Sequence, residues 1–445
     1  MYHATLHLLR VTGLALCLGA LIATAPARAA TLLRDADIEH ALKQLGAPVL
    51  RAAGLGPNQV RILLIDDSSL NAFIVDTQHI FIHSGLLTKL DTAAQLQAVI
   101  AHEAAHIANG HISRRLGNMQ TARTAAGLGM ALAAAAAVSG GGRAAIGLGI
   151  GLQSSALRNL LAHTRAEESS ADISSIRYLV RAGIDPQGAI EVQDLFRGQE
   201  ALSESRQDPY MRSHPLTRDR LRALKGLVAG ASAQTPPDPV ANYWFARAKG
   251  KLTAFTRAPG WTLRRADDSG SADIAQMRKA VAYHRQSDLG RALSQIDAAI
   301  TTRPTDPFLR ELKGQILLES RRAADAVKVY SAAARLAPRE PLILGGLGRA
   351  YLAVDNPQEA LRTLEAARGR DFGDTRILRD LAVAYAKTGQ NAMASLVTAE
   401  RYALQGRLSD AAIHAKRAEG ALPRGSGPWQ RAQDVLSAAQ RADRR

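Results

Sequence analysis

The sequence predicts a mainly α-helical protein with a small β-sheet, in which an N-terminal domain (residues 30–230) precedes an α-solenoid of short repeats. Three observations predict this fold class. Helix-forming residues with apolar positions every three to four places surround an H-E-x-x-H motif at residues 102–106. Short apolar and β-branched runs before that motif predict a few strands. From about residue 274, small and aromatic residues recur every 34 residues, as in paired-helix repeats.

Residues 1–29 are predicted to be a targeting segment, a signal peptide. An apolar stretch of 14 residues follows Arg10, and the segment ends in Ala27-Arg28-Ala29, an A-x-A cleavage pattern. The stretch is shorter than the about 20 residues that span a bilayer, so an uncleaved anchor is the weaker interpretation. The single cysteine, Cys17, lies in this segment, so the rest of the chain offers only histidine and carboxylate side chains as metal ligands.

The stretch before the H-E-x-x-H motif is predicted to contain one helix and the strands of the sheet. The helix is predicted over 33–50 and the first strand over 60–65. A strand pair is predicted over 72–75 and 79–82.

The H-E-x-x-H motif predicts the chemistry of the N-terminal domain. Positions four apart lie on one face of a helix, so His102 and His106 can bind one Zn²⁺ from the same side. Glu103 can lie beside the water activated by the metal and take its proton without being a ligand. The motif therefore indicates peptide hydrolysis by a metalloprotease. The alternative is a helix with two solvated or buried histidines.

A catalytic zinc site needs a third protein ligand and an open fourth position. Glu168 and Asp172 lie four apart on a predicted helix that ends near Gly183, so both carboxylates face the same way. We predict that Glu168 completes a site for one Zn²⁺ per chain, with Glu167 as the competing ligand. Asp172 can orient a ligand imidazole or shuttle a proton. An acidic first turn of an exposed helix is the alternative.

The order of the two motifs, H-E-x-x-H and then E-x-x-A-D, resembles the gluzincin metallopeptidases of the HtpX and BepA type. The similarity covers about residues 31–230. It includes further segments at 70–73, 79–87, 109–111, 182–186 and 213–217. One departure is the segment 74–78, because many relatives have a Pro-Gly or Gly-Gly turn there. This departure affects the expected shape of the hairpin and leaves the metal motifs intact.

The resemblance implies roles for two residues late in the domain. It implies that His214 can occupy the open position of the zinc and hold the enzyme inactive until substrate displaces it. Pro215 fits the first turn of a helix, which would put His214 at the helix entry. Arg220 would then stabilise the oxyanion of the tetrahedral intermediate. The alternatives are a surface histidine and a surface arginine.

The resemblance also implies a strand that binds substrate. An edge strand beside the metal can pair with an extended substrate backbone, so main-chain hydrogen bonds give affinity with little sequence preference. This role is assigned to Asn71, Ala72 and Phe73, with His79–Ile82 as the alternative.

Residues 124–157 are rich in alanine and glycine and lie between the two metal motifs. We predict a soluble helical hairpin or lid. A transmembrane hairpin is the alternative, because 124–142 holds 19 uncharged residues. In BepA-like relatives this place holds a hairpin that can cover the active site and lie near membrane, whereas HtpX-like relatives have true spans.

The C-terminal half is predicted to be a repeat array. A linker with a connecting helix is predicted over 231–273, about four tetratricopeptide repeats over 274–425, and a basic tail over 426–445. The repeat period of 34 is carried by small residues that let paired helices approach closely, namely Ala292, Ala326, Ala360 and Ala394. Such a solenoid presents a concave groove to partner proteins.

The formal net charge of +16 favours anionic surfaces, lipid headgroups included, although a solvated basic surface is the simpler explanation. No nucleic-acid motif accompanies it.

With the resemblance, the sequence predicts a periplasmic zinc endopeptidase, with peripheral membrane contact, in outer-membrane protein quality control. Its substrates would be unfolded or misassembled outer-membrane proteins, and its repeats would recruit substrates or assembly machinery. The alternatives are a chaperone or adaptor with minor proteolysis, and an integral-membrane protease of the HtpX kind.

Overall fold

A computed structural model describes residues 32–115, 164–203, 206–231 and 236–443. The predicted fold class is confirmed, because helices dominate these ranges and the strands form one four-stranded sheet. The predicted signal peptide and the predicted hairpin at 124–157 lie outside the described residues. Within the described ranges, no helix has the length and apolar character needed to cross a bilayer.

The N-terminal domain begins with a small mixed sheet and the helices around it. Its first elements are β1 (Leu32–Leu33), α1 (Ala36–Ala52), β2 (Arg61–Ile65), β3 (Ala72–Ile74), β4 (His79–His83), α2 (Ser84–Lys89) and α3 (Ala93–Ala108). The strand order is β1-β2-β4-β3, with β2 and β4 parallel and the other two pairs antiparallel. The strand β3 therefore lies at an edge of the sheet.

The predicted start of the first helix at residue 33 is wrong. Leu32 and Leu33 pair with β2 instead, and the helix begins after Asp35. The Asp35 carboxylate accepts hydrogen bonds from the backbone N–H groups of Asp37 and Ile38, which caps the helix at this point.

The turn between β3 and β4 is closed by an aspartate where relatives were expected to have glycine. Asp76 Oδ1 accepts a hydrogen bond from the backbone N–H of Gln78 at 2.7 Å. The same carboxylate lies 2.8 Å from Nδ1 of His79, the first residue of β4. A side chain that bonds the backbone two residues on makes a turn without a positive φ angle, so the hairpin forms without a glycine.

The remaining helices of the N-terminal domain pack around α3. They are α4 (Arg165–Arg181), α5 (Gln187–Asp194), α6 (Pro209–Ser213) and α7 (Arg218–Ala231). Helix α3 contacts α1, α4, α5 and β3, and nearly all of its residues are buried. The helix that carries H-E-x-x-H is thus the centre of the domain core, which fixes the direction of its side chains.

The predicted connecting helix is α8 (Pro239–Thr256), and it belongs to the core of the N-terminal domain. Its buried residues Phe245, Ala248 and Leu252 join the same apolar cluster as those of α1 and α3. The short helix α9 (Pro259–Arg265) follows and leads into the repeat array.

The repeat array contains five helix pairs in the described chain, where the sequence predicted about four units. The helices are α10 (Ala272–Arg285), α11 (Leu289–Thr302), α12 (Pro307–Glu319), α13 (Ala323–Leu336), α14 (Pro341–Ala353), α15 (Pro357–Arg370), α16 (Thr375–Lys387), α17 (Asn391–Leu404), α18 (Leu408–Ala421) and α19 (Gly427–Asp443). Helix α19 packs against α18 and α17, so the described part of the predicted basic tail is a helix of the array.

The small residues of the repeat period lie where paired helices meet. Ala292, Ala326 and Ala360 are fully buried. A Cβ atom at Gly348 would lie 2.4 Å from Leu364 Cγ on the paired helix, so only glycine fits there. The 34-residue period therefore arises from close packing of the paired helices.

The repeat array docks on the N-terminal domain through buried ion pairs. The Arg34 guanidinium contacts Glu39 Oε1 at 2.5 Å within its own domain. Across the interface it contacts Asp371 Oδ2 at 2.6 Å and Asp374 Oδ2 at 3.3 Å. Arg61 also contacts Asp371 at 3.1 Å. The side chains of Arg34, Asp371 and Asp374 are at most 7% exposed, so each charge depends on its partners.

A second buried group of charges lies beside α8. Arg247 pairs with Asp37 at 2.8 Å and with Asp306, the residue that caps the start of α12, at 2.5 Å. Lys251 pairs with Asp35 at 2.9 Å and lies 3.7 Å from Glu311 of α12. Since both cations bridge the domain and the array, the two parts of the described chain are held in one orientation.

We expect Arg34→Met to destabilise the docked arrangement by about 3–5 kcal/mol, because buried carboxylates would lose a partner. Although burial opposes ionisation, Arg34 and Arg61 lower the pKa of Asp371 to about 2. A pKa that is lower in the folded state stabilises the fold above the unfolded-state value of about 3.9. The effect of Arg34→Met should thus be full near pH 7 and shrink as the pH falls from about 4 towards 2.

Urea unfolding followed by circular dichroism at several pH values measures this effect. The control is Arg335→Met on α13, because Arg335 is an exposed arginine on a repeat helix. Equal unfolding free energies for the two variants would contradict the proposed importance of the buried pairs.

Candidate metal centre

Four of the predicted site residues meet in one buried cluster. His102 and His106 lie one turn apart on α3, Glu168 lies in the first turn of α4, and His214 follows α6. Each offers one ligand atom, and the four atoms lie within 4.8 Å of one another. All four side chains are buried. Among the described residues, this is the group of histidine and carboxylate side chains that can hold a metal ion.

The distances between the donor atoms fit a divalent cation bound by two histidines and a glutamate. His102 Nε2 lies 3.1 Å from His106 Nε2 and 3.4 Å from Glu168 Oε2. His106 Nε2 lies 3.2 Å from Glu168 Oε1. Tetrahedral zinc with bonds of about 2.0–2.1 Å places its donors roughly 3.3 Å apart. Electron pairs that converge at such distances repel unless a proton or a cation lies among them, so the donor set suits Zn²⁺.

The structure separates the two neighbouring glutamates that the sequence left in competition. Glu167 caps its own helix, because Thr164 N–H donates to Glu167 Oε2 at 3.0 Å and Glu167 N–H donates to Thr164 Oγ1 at 3.2 Å. Arg115 also donates to Glu167 at 2.5 Å. Glu168, one position on, points into the cluster with no exposed surface.

Asp172 and Arg220 lie next to the donors and hold them in place. Asp172 Oδ1 lies 3.2 Å from Nδ1 of His102, on the side of the ring away from the cluster. Arg220 Nε and Nη2 donate to Asp172 at 2.5 and 2.9 Å, and Nη1 lies 2.7 Å from Glu168 Oε2. This placement favours the orienting role of Asp172 over proton shuttling. It also favours an orienting role for Arg220 over the oxyanion role implied by the resemblance.

His214 lies in the cluster, but its helical context differs from the prediction. Its Nδ1 lies 3.3 Å from His102 Nε2 and 3.0 Å from Glu168 Oε1, so it can be a fourth ligand. The prediction that Pro215 opens a helix is wrong. His214 instead caps the end of α6, where its N–H donates to the Tyr210 carbonyl at 2.8 Å. Helix α7 begins only at Arg218. Pro215 therefore follows the end of α6, a position where proline is also common.

Glu103 lies beside the donors without joining them. Its side chain has no exposed surface, and neither carboxylate oxygen accepts a hydrogen bond from the described residues. His214 Nε2 lies 3.4 Å from Glu103 Oε1. Burial raises the pKa of Glu103, while the nearby histidines oppose that rise. A buried carboxylate with no hydrogen-bond donor is suited to accepting a proton.

The electrostatics of the cluster favour a cation at its centre. Although burial raises the pKa of Glu168, His214 and Arg220 lower it well below the usual range, so Glu168 is ionised. Burial lowers the pKa of His102, but its contacts with Asp172 and Glu168 raise it to about 10. Burial lowers the pKa of His106 well below its usual value. The carboxylates therefore stabilise positive charge at the centre of the cluster. A divalent cation can supply this charge in place of a proton.

The predicted substrate-binding residues lie at the edge of the sheet. Ala72 and Phe73 belong to β3, and Asn71 directly precedes it. The Leu70 carbonyl accepts a hydrogen bond at 3.2 Å from the backbone N–H of Tyr210, which lies in the helix that ends at His214. The segment just before β3 is therefore hydrogen-bonded to α6, the helix that precedes His214.

Two residues that contact the cluster were not assigned a role by sequence. His111 is buried, its Nδ1 lies 2.8 Å from Nδ1 of His106, and burial lowers its pKa. Tyr210 is buried with its ring centroid 4.6 Å from that of His214. A third histidine close behind H-E-x-x-H was the available signal for His111. No sequence signal marked Tyr210, because its contact with His214 depends on the path of the chain around α6.

Comparisons with known proteins identify similarity to a peptidase family and to a repeat family. Residues 36–228 match the model of peptidase family M48, and residues 317–382 match a model named tetratricopeptide repeat. The beta-barrel assembly-enhancing protease of Escherichia coli (strain K12) is 25% identical over 401 residues, covering 86% of this chain and 79% of that protein. The protein of the same name from Yersinia pestis is 22% identical over 390 residues, with coverage of 86% and 79%.

Among solved structures, MamA from Desulfovibrio magneticus RS-1, residue 41 to the end, is 17% identical. It overlaps with a TM-score of 0.32 over 37% of this chain and 94% of that chain. Of the two matched segments of this sequence, the first includes every residue of the donor set.

Proposed function

We propose that this chain, a metallopeptidase of the M48 type that carries tetratricopeptide repeats, is a zinc endopeptidase of the periplasm that hydrolyses misassembled outer-membrane β-barrel proteins. The observation that carries the proposal is the buried donor set of two histidines and one glutamate, with the carboxylate of Glu103 beside it and without a hydrogen bond from any residue that the structure describes. Such a set with a fourth, exchangeable position is typical of catalytic zinc.

The chain's own residues would hold the metal and prepare the proton transfer. His102 and His106 would bind through Nε2, and Glu168 through its carboxylate. Zinc in this site supplies Lewis-acid activation of water and of the peptide carbonyl. Glu103 accepts the proton of the attacking water and passes it to the nitrogen of the leaving amine. Burial raises the pKa of Glu103, and within the described ranges neither of its carboxylate oxygens accepts a hydrogen bond, so the carboxylate is basic enough to take that proton.

Positioning residues act through the donors. Asp172 accepts from Nδ1 of His102, which keeps Nε2 free to bind the metal. Arg220 holds Asp172 and Glu168 together, so both carboxylates keep their orientation. His214 would hold the fourth ligand position in the resting chain and would give it up when substrate enters.

The substrate class follows from how the site can bind a peptide. The edge strand β3 can pair with an extended backbone, and the role of Asn71, Ala72 and Phe73 would be to supply its main-chain groups. A β-barrel that has not closed exposes the same kind of unpaired strand. Such pairing needs no particular side chain but does need an unpaired strand. It would therefore select unassembled barrels over folded ones.

The proposed location and partners follow from the relatives named above. They are named for enhancing β-barrel assembly. The proposed signal peptide would deliver this chain to the periplasm, where barrel proteins pass before assembly. The repeat array would recruit unfolded substrates or assembly machinery.

We expect the purified chain to cut an outer-membrane β-barrel that has been diluted from urea and to spare the same barrel folded in lipid vesicles. The reason is that only the unfolded form exposes strand edges. Gel analysis of fragments over time measures this difference. Chelation should stop cleavage, and added Zn²⁺ should restore it.

The contrary outcomes separate the alternatives. Equal cleavage of folded and unfolded barrel would contradict the strand-edge basis of selection. Suppressed aggregation of the barrel without any fragments would overturn the peptidase assignment and favour the chaperone or adaptor.

A further inference from the structure

The ring of His106 is held from both sides. Its Nε2 faces Nε2 of His102 and a carboxylate oxygen of Glu168, at 3.1 and 3.2 Å. Its Nδ1 lies 2.8 Å from Nδ1 of His111, and the two ring planes are 69° apart. His106 is fully buried and His111 is 2% exposed.

We propose that His111 positions His106 for metal binding by accepting a hydrogen bond from its Nδ1. The proposal rests on the metal site described above. A neutral imidazole that binds a metal through Nε2 has no lone pair to spare there, so its proton is on Nδ1 and must be donated. His111 Nδ1 is the acceptor, and the proton of His111 is therefore on its own Nε2.

The two ligand histidines are thus held by acceptors of different charge. Asp172 accepts from His102 Nδ1 and carries a negative charge that Arg220 balances. His111 accepts from His106 with an uncharged ring. An acceptor without charge fixes the plane and the tautomer of His106 but adds no further anion near the metal, so it leaves more of the positive charge to polarise substrate.

A break in α3 brings His111 into this position. Residues five apart on a regular helix lie about 140° apart around its axis, so they do not face each other. Helix α3 ends at Ala108, and Gly110 has a φ of +69°, which a glycine adopts without strain. The chain turns there, residues 111–115 are helical again, and His111 comes to lie against His106.

Two substitutions separate hydrogen bonding from packing. His111→Phe keeps a planar ring but cannot accept a hydrogen bond. His111→Asn is smaller, and its side-chain oxygen can accept near the place of Nδ1. Zn²⁺ affinity is measured on the full chain by competition with a chromophoric chelator, and the visible spectrum of bound Co²⁺ reports the ligand geometry.

We expect His111→Phe to weaken Zn²⁺ binding by about 10–100-fold and to change the Co²⁺ spectrum. His111→Asn should recover most of the affinity and the spectrum. Wild-type affinity and spectrum in a folded His111→Phe chain would overturn the proposal, and so would an Asn variant no better than the Phe variant. If His111→Phe does not fold, His111→Ala takes its place with the same expected loss. Failure of the wild-type chain to bind Zn²⁺ would instead overturn the proposed function.

Discussion

Glu103→Gln is expected to reduce peptide cleavage by about 10²–10⁴-fold while the metal stays bound. Glu103 lies in the buried site beside the donors and is not part of the donor set. Glutamine keeps the shape and volume of the side chain but cannot accept a proton at neutral pH. The loss should therefore fall on kcat, with little change in metal affinity. A fluorogenic peptide assay, run beside elemental analysis of the same protein, measures both quantities.

Glu191→Gln is a suitable control for this change. Glu191 is a glutamate of α5 whose carboxylate accepts a hydrogen bond from Gln95. It removes the same charge from the N-terminal domain outside the donor set, so cleavage should persist. A Glu103→Gln chain that binds zinc and cleaves at the wild-type rate would contradict the role of Glu103 as the base.

Local sequence rules predicted the part of the site that lies on a single helix. The spacing of His102 and His106 fixes both rings on one face, whatever the rest of the chain does. The choice between Glu167 and Glu168 was also encoded. Thr164-x-x-Glu167 is a capping box, which uses Glu167 at the helix start and leaves Glu168 for the cluster. We predicted Glu168 as the ligand from its spacing to Asp172, and the capping box is an independent signal for the same choice.

Other features depend on the path of the backbone, which periodicity does not describe. Proline occurs both in the first turn of a helix and just after one, so Pro215 alone could not tell which side of His214 is helical. His111 reaches His106 only because α3 breaks at Gly110. The Arg34–Asp371 pair joins residues 337 positions apart, and nothing local in either segment marks the other as its partner.

The repeat array was predictable for a different reason. Paired helices in the array pack closely, and close packing requires small residues at the contact positions of each repeat. The sequence period is the spacing of these positions. Alanines such as Ala326 and glycines such as Gly348 therefore mark the contacts directly in the sequence. The number of repeats was underestimated because the alanine series ends at Ala394 in α17, and the next position of the period, in α19, is Pro428. Terminal repeats face solvent on one side and need not keep the shared pattern.

Loss of a residue that only positions a ligand typically lowers metal affinity by about 10–100-fold. Glu168→Gln is expected to lower metal affinity by more than this, because it removes a direct ligand. Glutamine has nearly the same shape but lacks the negative charge that balances a divalent cation. It also leaves the buried Arg220 with one carboxylate partner fewer, since Arg220 Nη1 lies 2.7 Å from Glu168. Cleavage should fall in proportion to metal occupancy and should recover in part when Zn²⁺ is added in excess.

The neighbouring Glu167→Gln is the matched control for this change. It makes the same chemical substitution one position earlier on α4, but its carboxylate faces Thr164 and Arg115 and lies outside the donor set. Its expected effect is a weaker helix cap of about 1 kcal/mol, seen as earlier unfolding with zinc content unchanged. If the two variants lost zinc equally, or if only Glu167→Gln lost it, the third ligand would not be Glu168. A loss confined to Glu168→Gln, with excess Zn²⁺ restoring cleavage, would tie the ion and the peptidase activity to the same carboxylate.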